Sequence, residues 1–412
     1  MKNKKYSSVV TGYGYDGEGV CKVEGKVTFL PFVIEGENVE FYIEKETSSF
    51  CKGKLSKIIS ESPLREVPPC PYFGICGGCV YQHTNYQNEL EIKKNLLAGH
   101  LKKANFQEKI EVFPSTQRYG YRNKIRLFVK NEKIGLKIRG SDKVIDVEKC
   151  LLVSDRMNDA ISKIRTFITG QNLFDVFEEI VIREENSSLL VNFYKTTNIT
   201  VNYQGLFLLL GKKTGIFETF NQFTRHVLGL EYLQTTEHGL ACEFSPTSFH
   251  QVNGFVMPLL YEKVLDLVKG ANVLNMYSGA GTLSGILLSK SKRVIGIELG
   301  DSEHQDAENF KMRNNLKGLL NMHGDCAEVL GRINEKFDTV VVDPPKAGMD
   351  KKVCERLNMI GAKRIVYISC DSATMSRDVT RLTNYKISQA YLLDMFACTG
   401  EYEALILLEK KV

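Results

Sequence analysis

The chain has 412 residues, 43% hydrophobic and 25% charged, with a net charge of +5. That length suits two or three domains and at least one full hydrophobic core. The composition is that of a soluble globular protein, and apolar runs such as LFLLL (206–210) are far too short to span a bilayer, which excludes a membrane-spanning class. The polar start MKNKKYSS lacks the apolar stretch of a secretory signal. A cytoplasmic protein is therefore expected, in which 11 cysteines read as thiols or metal ligands, not disulfides.

In chain order, residues 1–60 alternate polar and apolar side chains in short runs broken by glycines. Five short strands of this kind predict a small OB-like β-barrel, a shape used on single-stranded nucleic acid and equally as a structural module. The proline-rich stretch SPLREVPPCP (62–71) leads into CPYFGICGGC, which places Cys70, Cys76 and Cys79 close together. YQNELEIKKNLLAGHLKKAN (86–105) predicts an amphipathic helix, with Leu90, Lys94, Leu97 and Leu101 at helical spacing. Strand-like text from 120 to 240 predicts a mostly antiparallel central region, giving a second domain over 61–244. Between Thr84 and Gly140 stand 13 Lys or Arg against 5 Asp or Glu, with Tyr119, Tyr121 and Phe128 among them. Such a segment suits a polyanion such as RNA or, equally, a solvated lysine-rich surface.

From Ser245 onward apolar strands alternate with helices, which predicts a doubly wound, mainly parallel sheet over 245–412. In VLNMYSGAGTLSGILLSKSKRVIGIE, Gly279 and Gly281 allow a tight turn and close backbone approach to a ligand. Glu298 ends the second strand, where an acid can accept hydrogen bonds from ribose hydroxyls. A short G-x-G also fits a plain β–α turn or a dinucleotide site. The missing third glycine, and a further acid, Asp325, after the next strand, favour S-adenosylmethionine. Asp343 in VVVDPPKAGMD ends another strand at the sheet edge where ligands sit, and two prolines stiffen the turn after it. Asn followed by Pro-Pro-Tyr would suit methylation of an exocyclic amine there; Asp with Lys346 points to a different target atom.

Cys370 follows the apolar run RIVYIS at the same edge, a candidate nucleophile or a buried thiol. Glu401 and Glu403 precede the last strand in alternation, and one of them is a candidate general base. Thiol, S-adenosylmethionine and carboxylate form a complete set for methylating C5 of uracil. That carbon is too weakly nucleophilic to take a sulfonium methyl unaided. A thiolate adding to C6 makes an enolate that attacks through C5, and a base then removes the C5 proton so that the thiol leaves.

With these residues in place the chain resembles, over nearly its whole length, the bacterial RNA uracil-C5 methyltransferases. Within them it is most similar to the iron–sulfur branch that makes 5-methyluridine in 23S ribosomal RNA. GYDGEGVCKVEGKVTFLPFVIEGE is similar to that branch's N-terminal TRAM domain, an RNA-binding barrel, and PPCPYFGICGGCVYQHTNY to its cluster motif. YRNKIRLFV and SPTSFHQVN are similar to its central and pre-catalytic motifs, and VVDPPKAG, VYISC and DMFACTGEYE to its catalytic ones.

The resemblance implies that Gln251, Tyr277 and Thr282 contact S-adenosylmethionine, that Glu298 holds its ribose and that Asp325 holds its adenine side. It places Asp343 beside the methyl group and the uracil, with Cys370 as nucleophile and Glu403 as base. It implies a 4Fe–4S cluster on Cys70, Cys76, Cys79 and, from the family spacing, Cys150; a structural zinc site also accepts four thiolates. Cys21, Cys51, Cys242, Cys326, Cys354 and Cys398 read as buried or incidental thiols. The expected partner is RNA, 23S ribosomal RNA first and transfer RNA second, with no membrane and a monomeric state. The N-terminal barrel and the cluster weigh for ribosomal RNA, since the transfer-RNA branch typically lacks both.

Departures from the family pattern are Asn275 (usually Asp), Ser278 (usually Cys), Asp371-Ser372 (usually Asn-Pro), and Cys398 and Glu401 (usually His). The acid beside Cys370 is expected to raise the thiol's pKa. These changes keep open an RNA-binding homologue with impaired catalysis.

Overall fold

Inward-facing residues alternate along the first strands, and six of them, not the expected five, pair into one sheet. Its order is Lys5–Val9, Asn38–Glu46, Phe50–Ser60, Lys26–Leu30, Gly19–Val23, Gly12–Tyr13. The last strand has only two residues, too few for an alternation to show in sequence. Val10, Cys21, Leu30, Val33 and Phe41 form this sheet's own core. The computed structural model describes residues 4–14, 17–248 and 250–411; Tyr15 and Asp16 of the N-terminal motif and Phe249 of SPTSFHQVN lie outside them.

The second sheet runs Val144–Asp146, Lys133–Lys137, Lys124–Lys130, Phe177–Glu185, Ser188–Lys195, Thr214–Phe220, Phe223–Gly229. Neighbours are antiparallel except Ser188–Lys195 with Thr214–Phe220, which are parallel. The helix Asp155–Gly170 lays Met157, Ile161, Ile164 and Ile168 on the sheet residues Leu127, Ile180 and Phe193.

The third sheet has the order Leu319–His323, Arg293–Glu298, Asn272–Met276, Thr339–Val342, Arg364–Ser369, Glu403–Lys410, Tyr385–Leu393, Ile110–Phe113. Only Glu403–Lys410 runs antiparallel to its neighbours. Strand order reverses between Asn272–Met276 and Thr339–Val342, the switch point at which open α/β sheets bind ligands.

One segment goes elsewhere than its sequence position implies. The helix Tyr86–Lys103 and the strand Ile110–Phe113, read with the central region, join the third sheet instead. Leu97, Leu101, Phe106 and Ile110 share a core with Met375 and Leu392, so burial of this apolar face decides the placement. Lys94 is half-exposed, while Glu89 and Lys93 turn inward with Leu97 and Leu101. Among the described residues no helix is long and apolar enough to cross a membrane.

Candidate active site

The strand Arg364–Ser369 is buried from Ile365 onward, and its last residue, Ser369, pairs with Ala404 of the antiparallel strand beside it. Cys370 therefore emerges next to Glu403. The Ser369 hydroxyl accepts from the Asp371 N–H and donates to the Asp371 carbonyl, both at 3.0 Å, closing a turn around Cys370. Asp343 follows the neighbouring parallel strand Thr339–Val342, whose Val342 pairs with Tyr367.

Burial pushes the Cys370 thiol up to about 12; Glu403, Glu401 and Asp343 add to the rise and Lys346 opposes it. Burial raises Glu403 well above the ordinary carboxylate range, with Asp343 and Glu401 adding to the effect. Glu403 is 3% exposed, and its carboxyl makes no side-chain hydrogen bond or ion pair among the described residues. Asp343 is pushed by burial to about 7. Glu401 does not share Glu403's burial: it lies in the loop before the strand and pairs with Lys346. The thiol is thus raised as expected, but chiefly by burial and Glu403. The Asp371 carboxylate caps the helix Ser372–Arg381, accepting from the Thr374 N–H at 2.8 Å.

Tyr277, at the end of the strand Asn272–Met276, holds φ of 60°, a left-handed backbone that a bulky side chain adopts only at a strained turn. Gly279 and Gly281 follow at φ 54° and 82°, and a Cβ at Gly279 would meet nothing within 4 Å. The turn therefore has open space beside it for a ligand. Thr282 starts the helix Thr282–Leu287. The Glu298 carboxylate accepts from the N–H of Gly279 at 2.8 Å and from those of Leu299 and Gly300 at 2.9 Å. Asp325 caps the helix Cys326–Arg332 through one oxygen, accepting from the Ala327 and Glu328 N–H groups. Tyr277, Glu298 and Asp325 thus stand at the carboxyl ends of the three adjacent strands on one side of the switch point, with Thr282 on the helix after the first. The Gln251 carbonyl accepts from the Asn123 side chain, just before the strand Lys124–Lys130, at 3.0 Å.

Cys70, Cys76, Cys79 and Cys150 line one cavity of about 840 Å³. All four are free thiols. Among the described residues, no group of three or more His, Cys, Asp or Glu side chains is gathered as a metal site. The cavity is rich in cations, with Arg122, Lys124, Arg126, Lys137, Arg139 and Lys149 around it. Arg122 and Arg139 have no carboxylate partner among the described residues, and Arg139 leaves its buried Nε unbonded. Burial raises the Cys76 thiol, while the Gly78 N–H, Arg139 and Arg122 oppose the rise. Of the aromatic residues expected to serve RNA, Tyr121 is buried and donates to the Ala397 carbonyl, a structural contact. The six cysteines read as incidental are all buried.

Sequence reasoning missed what connects the two regions. Lys93, fully buried, binds Glu89 at 2.8 Å, Asp394 at 2.7 Å and the Phe396 carbonyl at 3.2 Å. Glu89 accepts from the Cys398 N–H at 2.6 Å, and the Cys398 carbonyl accepts from Val80 and Tyr81, next to Cys79. Burial opposes the charge on Lys93, but Asp394 and Glu89 outweigh it and raise its pKa. A signal was present: Glu89, Lys93, Leu97 and Leu101 form one i, i+4 row, so the pair lies on the apolar face.

The tRNA (Uracil-5-)-methyltransferase family profile matches residues 224–411. An uncharacterized RNA methyltransferase of Clostridium tetani is 30% identical, covering 99% of this chain and 96% of its own. The 23S rRNA (uracil(1939)-C(5))-methyltransferase of Francisella tularensis subsp. novicida is 28% identical over 100% of this chain and 98% of its own. The chain belongs to the RNA uracil-C5 methyltransferase family. The Pyrococcus abyssi tRNA (uracil-54, C5)-methyltransferase, solved with S-adenosyl-L-homocysteine, superposes with a TM-score of 0.83 at 27% identity. It covers 98% of this chain and 100% of its own. As a member of this methyltransferase family, the protein uses S-adenosylmethionine as methyl donor and RNA as substrate.

Proposed function

We propose that the protein methylates C5 of a uridine in 23S ribosomal RNA through a covalent adduct on Cys370. The observation that carries this reading is the meeting of Cys370, Glu403 and Asp343 on adjacent strands at one sheet edge. The raised thiol gives up its proton as it attacks; a neighbouring carboxylate other than Glu403 takes it and returns it to the sulfur when the sulfur–C6 bond breaks. The sulfur–C6 bond forms as the C5–C6 electron pair shifts toward C5, and C5 then takes the methyl group as the methyl–sulfonium bond breaks and the donor leaves as a thioether. Glu403 removes the C5 proton, the C5–C6 double bond re-forms and the sulfur–C6 bond breaks. A carboxylate raised by burial suits this proton transfer better than a solvated one. S-adenosylmethionine supplies an electrophilic methyl; Gln251, Tyr277, Thr282, Glu298, Asp325 and Asp343 are the residues assigned to hold it. With Glu403→Gln the adduct forms but cannot resolve, so RNA should stay attached to Cys370 on denaturing gels. Equal trapping by the Cys370→Ala, Glu403→Gln double variant refutes the nucleophile.

The four cysteines are assigned to a 4Fe–4S cluster. A structural zinc ion and a 4Fe–4S cluster each take four thiolates, and the resemblance of the cysteine motif favours the cluster. Arg122 and Arg139, which lack a carboxylate partner among the described residues, fit the negative charge that such a thiolate-bound group carries. Iron and sulfide analysis after anaerobic purification tests this, and colourless, zinc-loaded protein overturns it. The sheet within residues 1–60 is assigned as the TRAM-type RNA-binding module, ahead of units over 61–244, less the helix Tyr86–Lys103 and strand Ile110–Phe113 that join the third sheet, and 245–412, in a cytoplasmic monomer.

Full-length similarity to a 23S rRNA enzyme supports ribosomal RNA. A second reading, transfer RNA, draws support from the Pyrococcus abyssi enzyme. Because that likeness spans 98% of this chain, the N-terminal sheet does not by itself discriminate between the two. Mapping 5-methyluridine in both RNAs from cells with and without the gene decides.

A further inference from the structure

Beside Cys370 and Glu403 lies a hydroxyl cluster that the proposed chemistry does not use. Ser372 and Tyr402 are both buried. The Ser372 Oγ lies 2.6 Å from the Tyr402 hydroxyl and 2.7 Å from His100 Nδ1. The Ser376 hydroxyl donates to the His100 carbonyl at 2.7 Å. One side chain therefore joins three segments: the turn after Cys370, the residue before Glu403, and the helix Tyr86–Lys103.

The backbone makes no demand for serine here. Ser372 is the first residue of its helix, behind the Asp371 cap, a position that tolerates even proline. What explains the side chain is its two partners. The strand ladder explains why they are needed. Backbone pairing between the two strands ends at Ser369 and Ala404, so Cys370 projects beyond the last paired residues. The Ser372–Tyr402 bond supplies a cross-link on the other side of Cys370, and the thiol is bracketed.

We infer that Ser372 is a positioning residue whose hydroxyl, bound to Tyr402 and His100, holds the Cys370 turn against the strand that carries Glu403. This rests on the roles proposed above for Cys370 and Glu403. Small misplacements of reacting groups are costly, so a loosened turn should slow the chemistry while leaving binding intact.

The test uses the full-length protein, S-adenosylmethionine, and RNA from cells lacking the gene. For Ser372→Ala the first-turnover methylation rate should fall about tenfold, with half-saturation by RNA and by S-adenosylmethionine within about twofold. A second readout needs no RNA: the pH dependence of Cys370 alkylation by iodoacetamide, followed by mass spectrometry. Its midpoint should move down, because a looser turn admits water and draws the thiol away from Glu403, Glu401 and Asp343. Tyr402→Phe should act alike, and the double variant should be no worse than either single one, since both remove the same bond. Should Ser372→Ala unfold, Tyr402→Phe carries the same expectation alone. A wild-type rate with an unmoved midpoint overturns the inference, as do additive losses. Cys370→Ala separates the two levels. If it stays active, the nucleophile reading fails; if it is dead while Ser372→Ala is unimpaired, only the positioning role fails.

Discussion

The protein places thiols in two opposite electrostatic settings. Around Cys76 and Cys150 the nearby charges include arginines, which oppose the rise in thiol pKa that burial causes. Around Cys370 three carboxylates reinforce that rise and Lys346 alone is seen to oppose it. In the first setting the arginines only temper a rise that burial still imposes, so these thiols ionise on binding an electropositive centre and not before. The second keeps the thiol protonated until a neighbouring base takes the proton, which suits a sulfur that must attack and later leave. Identical side chains thus acquire different work from the sign of the charges around them.

The contrast breaks most sharply by exchanging sulfur for oxygen at each place. Cys370→Ser should lower methylation by at least about a thousandfold, the scale of losing a nucleophile, with iron and sulfide content unchanged. Cys79→Ser should do the reverse: metal lost, and methylation by the remaining folded protein within about tenfold of wild type. If both variants are equally silent, the two settings do not have separate jobs.

Lys93 lies between the regions, and Lys93→Met leaves Glu89 and Asp394 buried without their shared cation. Urea titration should show a loss of about 3–5 kcal/mol, the cost of breaking a buried ion pair from one side. An unchanged midpoint would mean that the two regions are not coupled through this network.

Asp343→Asn gives the smallest effect and the opposite sign. The Asp343 carboxyl rises from 3.8 to about 7 on folding, so the folded state holds its proton more tightly than the unfolded chain. Its favourable contribution is complete below the unfolded value and fades as pH rises through about 7. Asn removes the buried charge, so the variant should melt about 2–4 °C higher at pH 8, with the gain vanishing near pH 4. Asp343 is only partly buried, and water discounts the effect toward the lower figure.

Sequence patterns place Cys370, Asp343 and Glu298 well because each ends an apolar run, and a strand end at the switch point is a local property. Alternation alone does not separate Glu401 from Glu403, since the strand begins only at Glu403 and the period of two does not extend into the loop before it. That Cys150 shares a cavity with Cys70, Cys76 and Cys79 was available only through resemblance, because spacing in the chain does not specify which distant loops lie together. Cys398, read as incidental, matters through its backbone: its N–H and carbonyl tie Glu89 to Val80 and Tyr81. No pattern of side chains reports on that. The parallel pairing of Ser188–Lys195 with Thr214–Phe220 is likewise a matter of topology and not of composition.

The edge strand Ile110–Phe113 has a consequence for synthesis. Its partner is Tyr385–Leu393, with Ile110 opposite Ala390. A ribosome working at about 5–20 residues per second needs about 15 s to 1 min to travel between those two positions. During that interval Leu97, Leu101 and Ile110 have no finished surface to cover them. The early segment is therefore the part of the nascent chain most in need of a chaperone, and a fragment begun at residue 245 would emerge with a raw sheet edge and a tendency to aggregate.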